Sequence, residues 1–233
     1  MEVFPSSQAG FSRGIQVARD NHPRFRQARQ LARKRGTRPT YDRILIVSEG
    51  EKTEPQYFED IRIQNSIPSA HIKVLPSRAG TSPRLVVDFA EETFLATKAF
   101  ERVYAVFDRD DHESYRDALA RARALDGKYR NDERHEVVFK AVPSVPCFEL
   151  WLLLHYEEVH AFYHRTDILD HLRWHIPGYQ KGTTGIYQLT EPHIELAVQR
   201  AQRLQARFRA ATGTDPFTGV GELVELLRSI RRE

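Results

Sequence analysis

The chain has 233 residues, a net charge of +3, 40 % hydrophobic and 29 % charged residues, and one cysteine, Cys147. That length buries a core without help from disulfides, and a single cysteine excludes an intrachain one, so the chain reads as a cytoplasmic protein of one large domain with an appendage. No apolar run reaches the roughly 18 to 20 residues of a membrane span, and no apolar signal core opens the sequence, so no membrane contact is expected.

The charge is uneven. Residues 1–43 carry ten Arg and Lys against Glu2, Asp20 and Asp42, a balance of +7 against −4 for the rest. Residues 1–42 therefore read as a basic, flexible N-terminal arm with a short helix around Phe25–Arg35. Arg26, Arg29, Arg33, Lys34 and Arg35 are its candidate nucleic-acid-binding residues. A solvated tail that only aids solubility fits the same composition.

From Ile44 the pattern changes. Ile44–Val47 is an all-apolar, β-branched run, as expected of a strand buried on both faces. A helix is predicted from Thr53, with Thr53 and Gln56 as a capping box, Pro55 in the first turn, and Tyr57, Phe58 and Ile61 facing inward. Ile72–Leu75 reads as a second strand. Ser82-Pro83 opens a second helix whose apolar positions are Leu85, Val86, Phe89, Phe94 and Leu95. Val103–Phe107 is a third strand, Glu113–Leu125 a third helix, and Val137–Val142 a fourth strand. This alternation predicts an α/β fold with a mainly parallel sheet flanked by helices over residues 43–146, with sites at the carboxyl ends of the strands. Residues 147–233 read as a helical C-terminal part packed on that core. Its predicted helices are Phe148–Tyr156, Glu191–Ala211 and Gly219–Ile230, with a polar turn region at Gly178–Gly185.

Two acidic clusters follow predicted strands. Glu49 leaves the first strand, and Gly50 frees the turn beside it. Asp108 and Asp110 leave the third as an Asp-x-Asp step. Three converging carboxylates repel one another unless a cation neutralises them, and Mg2+ or Mn2+ prefers such hard oxygen ligands. Glu49, Asp108 and Asp110 are accordingly the candidate metal ligands, and with Lys52 the candidate catalytic residues. Glu49 is also the candidate general base. Lys52, Arg109 and His112 stand ready to stabilise phosphate charge, with Gly50 and Asp111 in support. Either cluster alone also fits an ordinary turn. Glu149 lies in an apolar helix start and needs a partner, such as the metal shell, Lys181 or an arginine; a carboxylate favoured by the helix dipole is the plainer reading. Cys147 and Trp151 read as core. His155, His160 and His164 read as residues of a polar face, since the ten histidines show no zinc spacing.

The stretch Ile44–Phe58 (ILIVSEGEKTEPQYF) resembles the opening motif of the RloB family. Val106–His112 (VFDRDDH) resembles its central motif, Ser144–His155 (SVPCFELWLLLH) its third, and Tyr179-x-Lys181 its fourth. Glu-Gly after one strand and Asp-x-Asp two crossovers later also resembles the TOPRIM fold of topoisomerases, primases and related nucleases. One departure is Asp215–Val220 (DPFTGV), where a more polar segment is expected. The resemblance implies a Mg2+- or Mn2+-dependent endonuclease of TOPRIM type. It would act as the toxic effector of an anti-phage abortive-infection system, on tRNA or other RNA, or on DNA, beside an ATPase partner encoded nearby. No Gly-x-x-x-x-Gly-Lys-Ser/Thr loop occurs here, so ATP hydrolysis would belong to that partner. A homodimer is also open to such a chain. The alternative is a catalytically silent nucleic-acid-binding or scaffold subunit of the same complex. Phosphotransferases with Asp-x-Asp after the first strand, and receiver domains, fit the order of motifs less well.

Overall fold

The computed structural model describes residues 41–80, 82–110, 112–209 and 216–230. The predicted arm with its helix and its five basic residues, Arg26 to Arg35, lies outside the described residues, as do Asp111 and Asp215. Tyr41–Glu233 forms one compact unit. Among the described residues no helix is long and apolar enough to cross a membrane.

The architecture is α/β, as predicted. In chain order the first half contains β1 (Ile44–Ser48), α1 (Thr53–Gln64), β2 (Ile72–Pro76), α2 (Pro83–Thr97), β3 (Arg102–Asp108), α3 (Tyr115–Leu125) and β4 (Val138–Val145). The second half contains α4 (Glu149–Leu153), α5 (Arg165–His175), α6 (Ile186–Thr190), a 3-10 turn (Glu191–His193), α7 (Ile194–Arg207), β5 (Phe217–Thr218) and α8 (Val220–Ser229). The sheet order is β2-β1-β3-β4-β5. All pairings are parallel except β4 with β5.

Each strand of the centre feeds two cores. Ile44 and Ile46 face one side and Leu45 and Val47 the other, all fully buried. The first side packs on Tyr57, Phe58 and Ile61 of α1 and on the C-terminal helices; the second packs on α2 and α3. A strand with no polar face has no other stable place than between two helical layers. From β1 the chain moves outward to β2, then crosses back past β1 to β3. Right-handed crossovers in opposite directions put α1 and α2 on opposite faces, and the reversal opens a crevice between the carboxyl ends of β1 and β3.

Several local expectations shift. Thr53 does not cap α1: Lys52 occupies the cap position without a side-chain bond, and Thr53 is the first helical residue. Its hydroxyl instead accepts the Gly182 N–H at 2.9 Å, a tertiary bond that displaces the local one. In α2 the buried stripe is Val86, Val87, Ala90 and Phe94, while Leu85 and Leu95 are exposed, because the helix meets the sheet one residue further round than the apolar spacing suggests. The Phe148–Tyr156 helix is only α4, Glu149–Leu153. His155 beyond it is buried rather than on a polar face, because Trp151 packs against its ring edge to face at 4.8 Å. Pro192 breaks the long C-terminal helix into a 3-10 turn and α7. The sequence pattern missed α5, α6 and β5.

The C-terminal helices thicken one face. α8 approaches α4 and α7 so closely that a Cβ on Gly221 would meet Trp151 at 3.3 Å and Ala201 at 3.4 Å. Trp151 Nε1 donates to the Tyr57 hydroxyl at 2.9 Å, which satisfies a buried donor between α4 and α1. β5 covers only the end of β4. The exposed stretch of β4 is guarded by Asp126, whose side chain accepts the Phe139 N–H at 2.9 Å, and by Pro143, which has none to offer. The groove left there, about 470 Å³, lies away from the carboxyl ends of β1 and β3.

Candidate functional site

The crevice between β1 and β3 is an acidic cleft of about 440 Å³. Its wall holds five carboxylates, Glu49, Glu51, Glu54, Asp108 and Asp110, against Lys52, Arg165 and Lys181, with His112 beside them. Backbone pairing sets the geometry. The Glu49 N–H continues the ladder to Val106 O at 2.9 Å, and the Glu49 Oε2 accepts the Asp108 N–H at 2.9 Å. The two strand ends named from sequence are therefore adjacent.

Asp108 and Asp110 both line the cleft, but only Asp110 joins Glu49 in a set of converging ligand atoms. Asp110 adopts a left-handed backbone, φ 35°, a conformation that a short carboxylate tolerates better than most side chains. Glu49, Asp110 and His112 each offer one ligand atom, and the three atoms lie within 4.8 Å of one another. Asp108 is buried, and the other carboxylates that act on it most strongly are Glu54 and Glu149.

These buried acids are held by the C-terminal part. Glu149 is 1 % exposed. Its Oε1 accepts the Tyr179 hydroxyl at 3.3 Å and lies 3.7 Å from Lys181 Nζ, while Oε2 has no partner. The Thr53–Gly182 bond pins the loop that carries Lys181 against α1. Gly182 has φ +83°, and a Cβ there would crowd Lys52 at 3.1 Å, so the loop needs glycine at that point. Gly50 donates its N–H to the Glu54 carboxylate, and a Cβ on Gly50 would collide with it. Arg165, at the start of α5, donates from Nη1 to Asp110 Oδ2 at 2.7 Å.

Burial makes these acids hard to ionise. Desolvation pushes Glu49 up to about 7; the Asp108 N–H opposes the shift, and the Asp110 and Glu54 carboxylates add to it. Asp108 and Glu54 are also raised, by burial first and then by their acidic neighbours. For Lys181, burial favours the neutral amine, but Glu149 and Asp108 outweigh it and raise the pKa. The Cys147 thiol is pushed well up by burial, Glu149 and Asp108, so it sits as a neutral core group.

The structure thus gathers Glu49, Gly50, Lys52, Asp108, Asp110, His112 and Lys181 around one cleft, with Glu149 beneath it; Lys52 is exposed at the rim. Arg109 faces an adjoining cleft. Sequence reasoning missed Arg165 altogether and gave Glu54 no role. Glu54 carried a signal, an acid three residues after Gly50-Glu51 in a helix start; Arg165 carried none. A second acidic trio, Glu101, Glu133 and His135, lies at the opposite end of the sheet. There the Arg43 guanidinium already neutralises Glu101 at 2.6 Å and Asp132 at 2.6 Å.

The family model described as RloB-like protein matches residues 44–227, from β1 into α8. The chain belongs to the RloB-like family. No curated protein and no solved structure matches it. The span of the RloB-like match takes in every residue of the acidic cleft, including Glu54 and Arg165.

Proposed function

We propose that this RloB-like chain is a metal-dependent nuclease of TOPRIM type, an effector of anti-phage abortive infection that cuts RNA, tRNA included, or DNA, beside an ATPase partner. The observation that carries the reading is the bond from Asp108 N–H to Glu49, which joins the ends of β1 and β3 at the switch point of the sheet. The donor set fits a divalent cation: Glu49, Asp110 and His112 are within reach of one ion, and burial makes Glu49 and Asp108 harder to ionise without one. Carboxylates suit Mg2+ and Mn2+, and an imidazole at the third corner suits Mn2+ better than Mg2+.

A bound divalent ion supplies Lewis-acid withdrawal of charge from the phosphodiester. The chain's own residues do the rest. Glu49, which the ion would hold deprotonated, stands where it can accept the proton of an attacking water and serve as the general base. Lys181 and Arg165 face the phosphate charge that grows in the transition state, and Lys52 meets the substrate at the rim. Tyr179 and Glu149 position Lys181.

One observation favours a second reading. Arg165 already neutralises Asp110 directly, as suits a silent binding or scaffold subunit. The two readings separate in one experiment: nucleic acids are sequenced after expression of the protein with its neighbouring genes, with and without phage. The nuclease reading expects discrete cuts that Glu49→Gln, Asp108→Ala and Asp110→Ala each reduce by at least about 100-fold. Cuts that persist in those variants, or binding without cutting under every condition, would remove it.

A further inference from the structure

A second cleft of about 340 Å³ adjoins the acidic one and shares Asp110, His112 and Arg165 with it. Its other chemistry is of the opposite sign. Arg109 and Arg165 line it against the single carboxylate of Asp110, and His164 and Phe162 complete the wall.

Phe162 is 45 % exposed. Its neighbour Tyr163 packs on the main core, whereas Phe162 stays half-exposed at the edge of the cleft. A half-exposed phenyl ring beside two guanidiniums is the arrangement that binds single-stranded nucleic acid: the ring stacks a base and the cations hold the backbone. At about 340 Å³ the cleft reaches the size at which small-molecule sites begin, near ~300 Å³, which is room for a single nucleotide unit. A base inside a duplex has no free face to offer.

The polar groups are set for this task. The His164 ring caps α5: its Nδ1 faces the Thr166 N–H at 3.4 Å and the Thr166 hydroxyl at 3.0 Å. An accepting Nδ1 puts the proton of the neutral ring on Nε2, which becomes a donor. Asp167 returns to the His164 N–H at 3.1 Å, so the helix start is capped by its own residues and phosphate recognition falls to the guanidiniums. Arg165 stands between the two clefts. Its bond to Asp110 fixes one nitrogen, and a guanidinium has five N–H donors in all.

We infer that this cleft is a nucleotide subsite, which takes one unpaired base of a single strand on Phe162 and the adjoining phosphate on Arg109 and Arg165. The inference rests on the nuclease reading only for the statement that this nucleotide flanks the bond to be cut. The protein's substrate is then a single-stranded or looped segment of RNA or DNA, delivered to the acidic cleft from the α5 side.

The test uses the full-length protein and a fluorescein-labelled 12-nucleotide oligouridylate, single or annealed to oligoadenylate, with Ca2+ as the divalent ion; anisotropy reads Kd. Phe162→Ala is expected to raise the single-strand Kd roughly 5- to 100-fold and to leave the duplex unchanged, with Phe162→Trp restoring the affinity. Arg109→Gln is expected to weaken single-strand binding and lower its salt slope by about 0.7. An exposed ring is not needed for folding, which the thermal melt of each variant checks. The inference is overturned if Phe162→Ala binds the single strand as the wild type does, if it loses equally on the duplex, or if the wild type binds neither form. Cleavage with unchanged KM in Phe162→Ala would remove the subsite and leave the nuclease reading standing. Phe162-dependent binding of the single strand, with no cleavage in any divalent ion, would do the reverse.

Discussion

His155 follows α4, one turn after Trp151, and is 1 % exposed. Its Nδ1 lies 3.0 Å from the Trp151 carbonyl oxygen, and Nε2 has no partner. A protonated ring would bury an unpaired charge, so desolvation brings its pKa down to about 4 although the two carbonyl contacts resist. In the unfolded chain it returns to about 6.5, so between those values the unfolded state holds more protons. Stability from this residue is therefore complete above pH 6.5 and is lost as pH falls toward 4, by an amount on the order of 3 kcal/mol. The expected result is a urea midpoint that drops across this window in the wild type and drops much less in His155→Phe. Parallel curves for the two proteins would show that the ring is charged in the fold. His155 sits where the apolar run Leu150–Leu154 gives way to Tyr156 and Glu157, so the sequence leaves its side undecided and only the packing of α4 decides it.

The loops after β1 and β3 are where elements become chemistry. Burial raises Glu49 from 4.5 to about 7, so at this residue the fold binds more protons than the unfolded chain across that window, and Asp108 and Glu54 are raised in the same direction. Their contribution to stability is present below that window and is lost as pH rises through it, the opposite sign to His155. A divalent ion competes for the deprotonated form, so its stabilising effect grows with pH. At about 100 times its Kd the ion adds about 2.7 kcal/mol, a Tm rise of roughly 5–10 °C, at pH 8. The expected rise at pH 5 is much smaller, and Glu49→Gln lowers the rise at pH 8. An equal rise at both pH values would mean that the ion does not bind these carboxylates.

The same elements show what periodicity can reveal. Strands β1 and β3 were legible because a buried parallel strand has no polar face to blur its pattern, and β2 and β4 because their apolar residues outnumber the exposed Lys73 and Lys140. Their order did not follow from periodicity or handedness: that β3 lies beside β1, and that Glu49 meets Asp108, is seen only in the fold. The helix α5 was illegible because it buries only Ile168 and Leu172, and β5 because two residues carry no pattern. The site inherited this limit. Its carboxylates follow strands and announce themselves, whereas Arg165 and Phe162 belong to the unpredicted α5 and its entry.

Over the whole molecule, charge is arranged in opposition. Residues 44–233 carry a small net negative charge and a cleft of five carboxylates, yet the proposed substrate is a polyanion. The net positive charge lies in residues 1–43, ahead of β1. A polyanion drawn to the chain by that segment would meet the acidic cleft only where a divalent ion and the Arg109–Arg165 wall offset it, so attraction and chemistry would fall to different parts of the chain. Each Lys or Arg that neutralises a phosphate releases counterions, and the salt dependence of binding counts them. Replacing Arg26, Arg29, Arg33, Lys34 and Arg35 together by Gln in the full-length protein is expected to lower the slope of log K against log salt on a single strand by about 3.5 if all five contact phosphate. Such a change weakens binding most at low salt and leaves the effect of Phe162→Ala intact, because the ring acts on a base and the segment on the backbone. An unchanged slope would assign these residues to solubility and place the whole of phosphate recognition on the α/β unit.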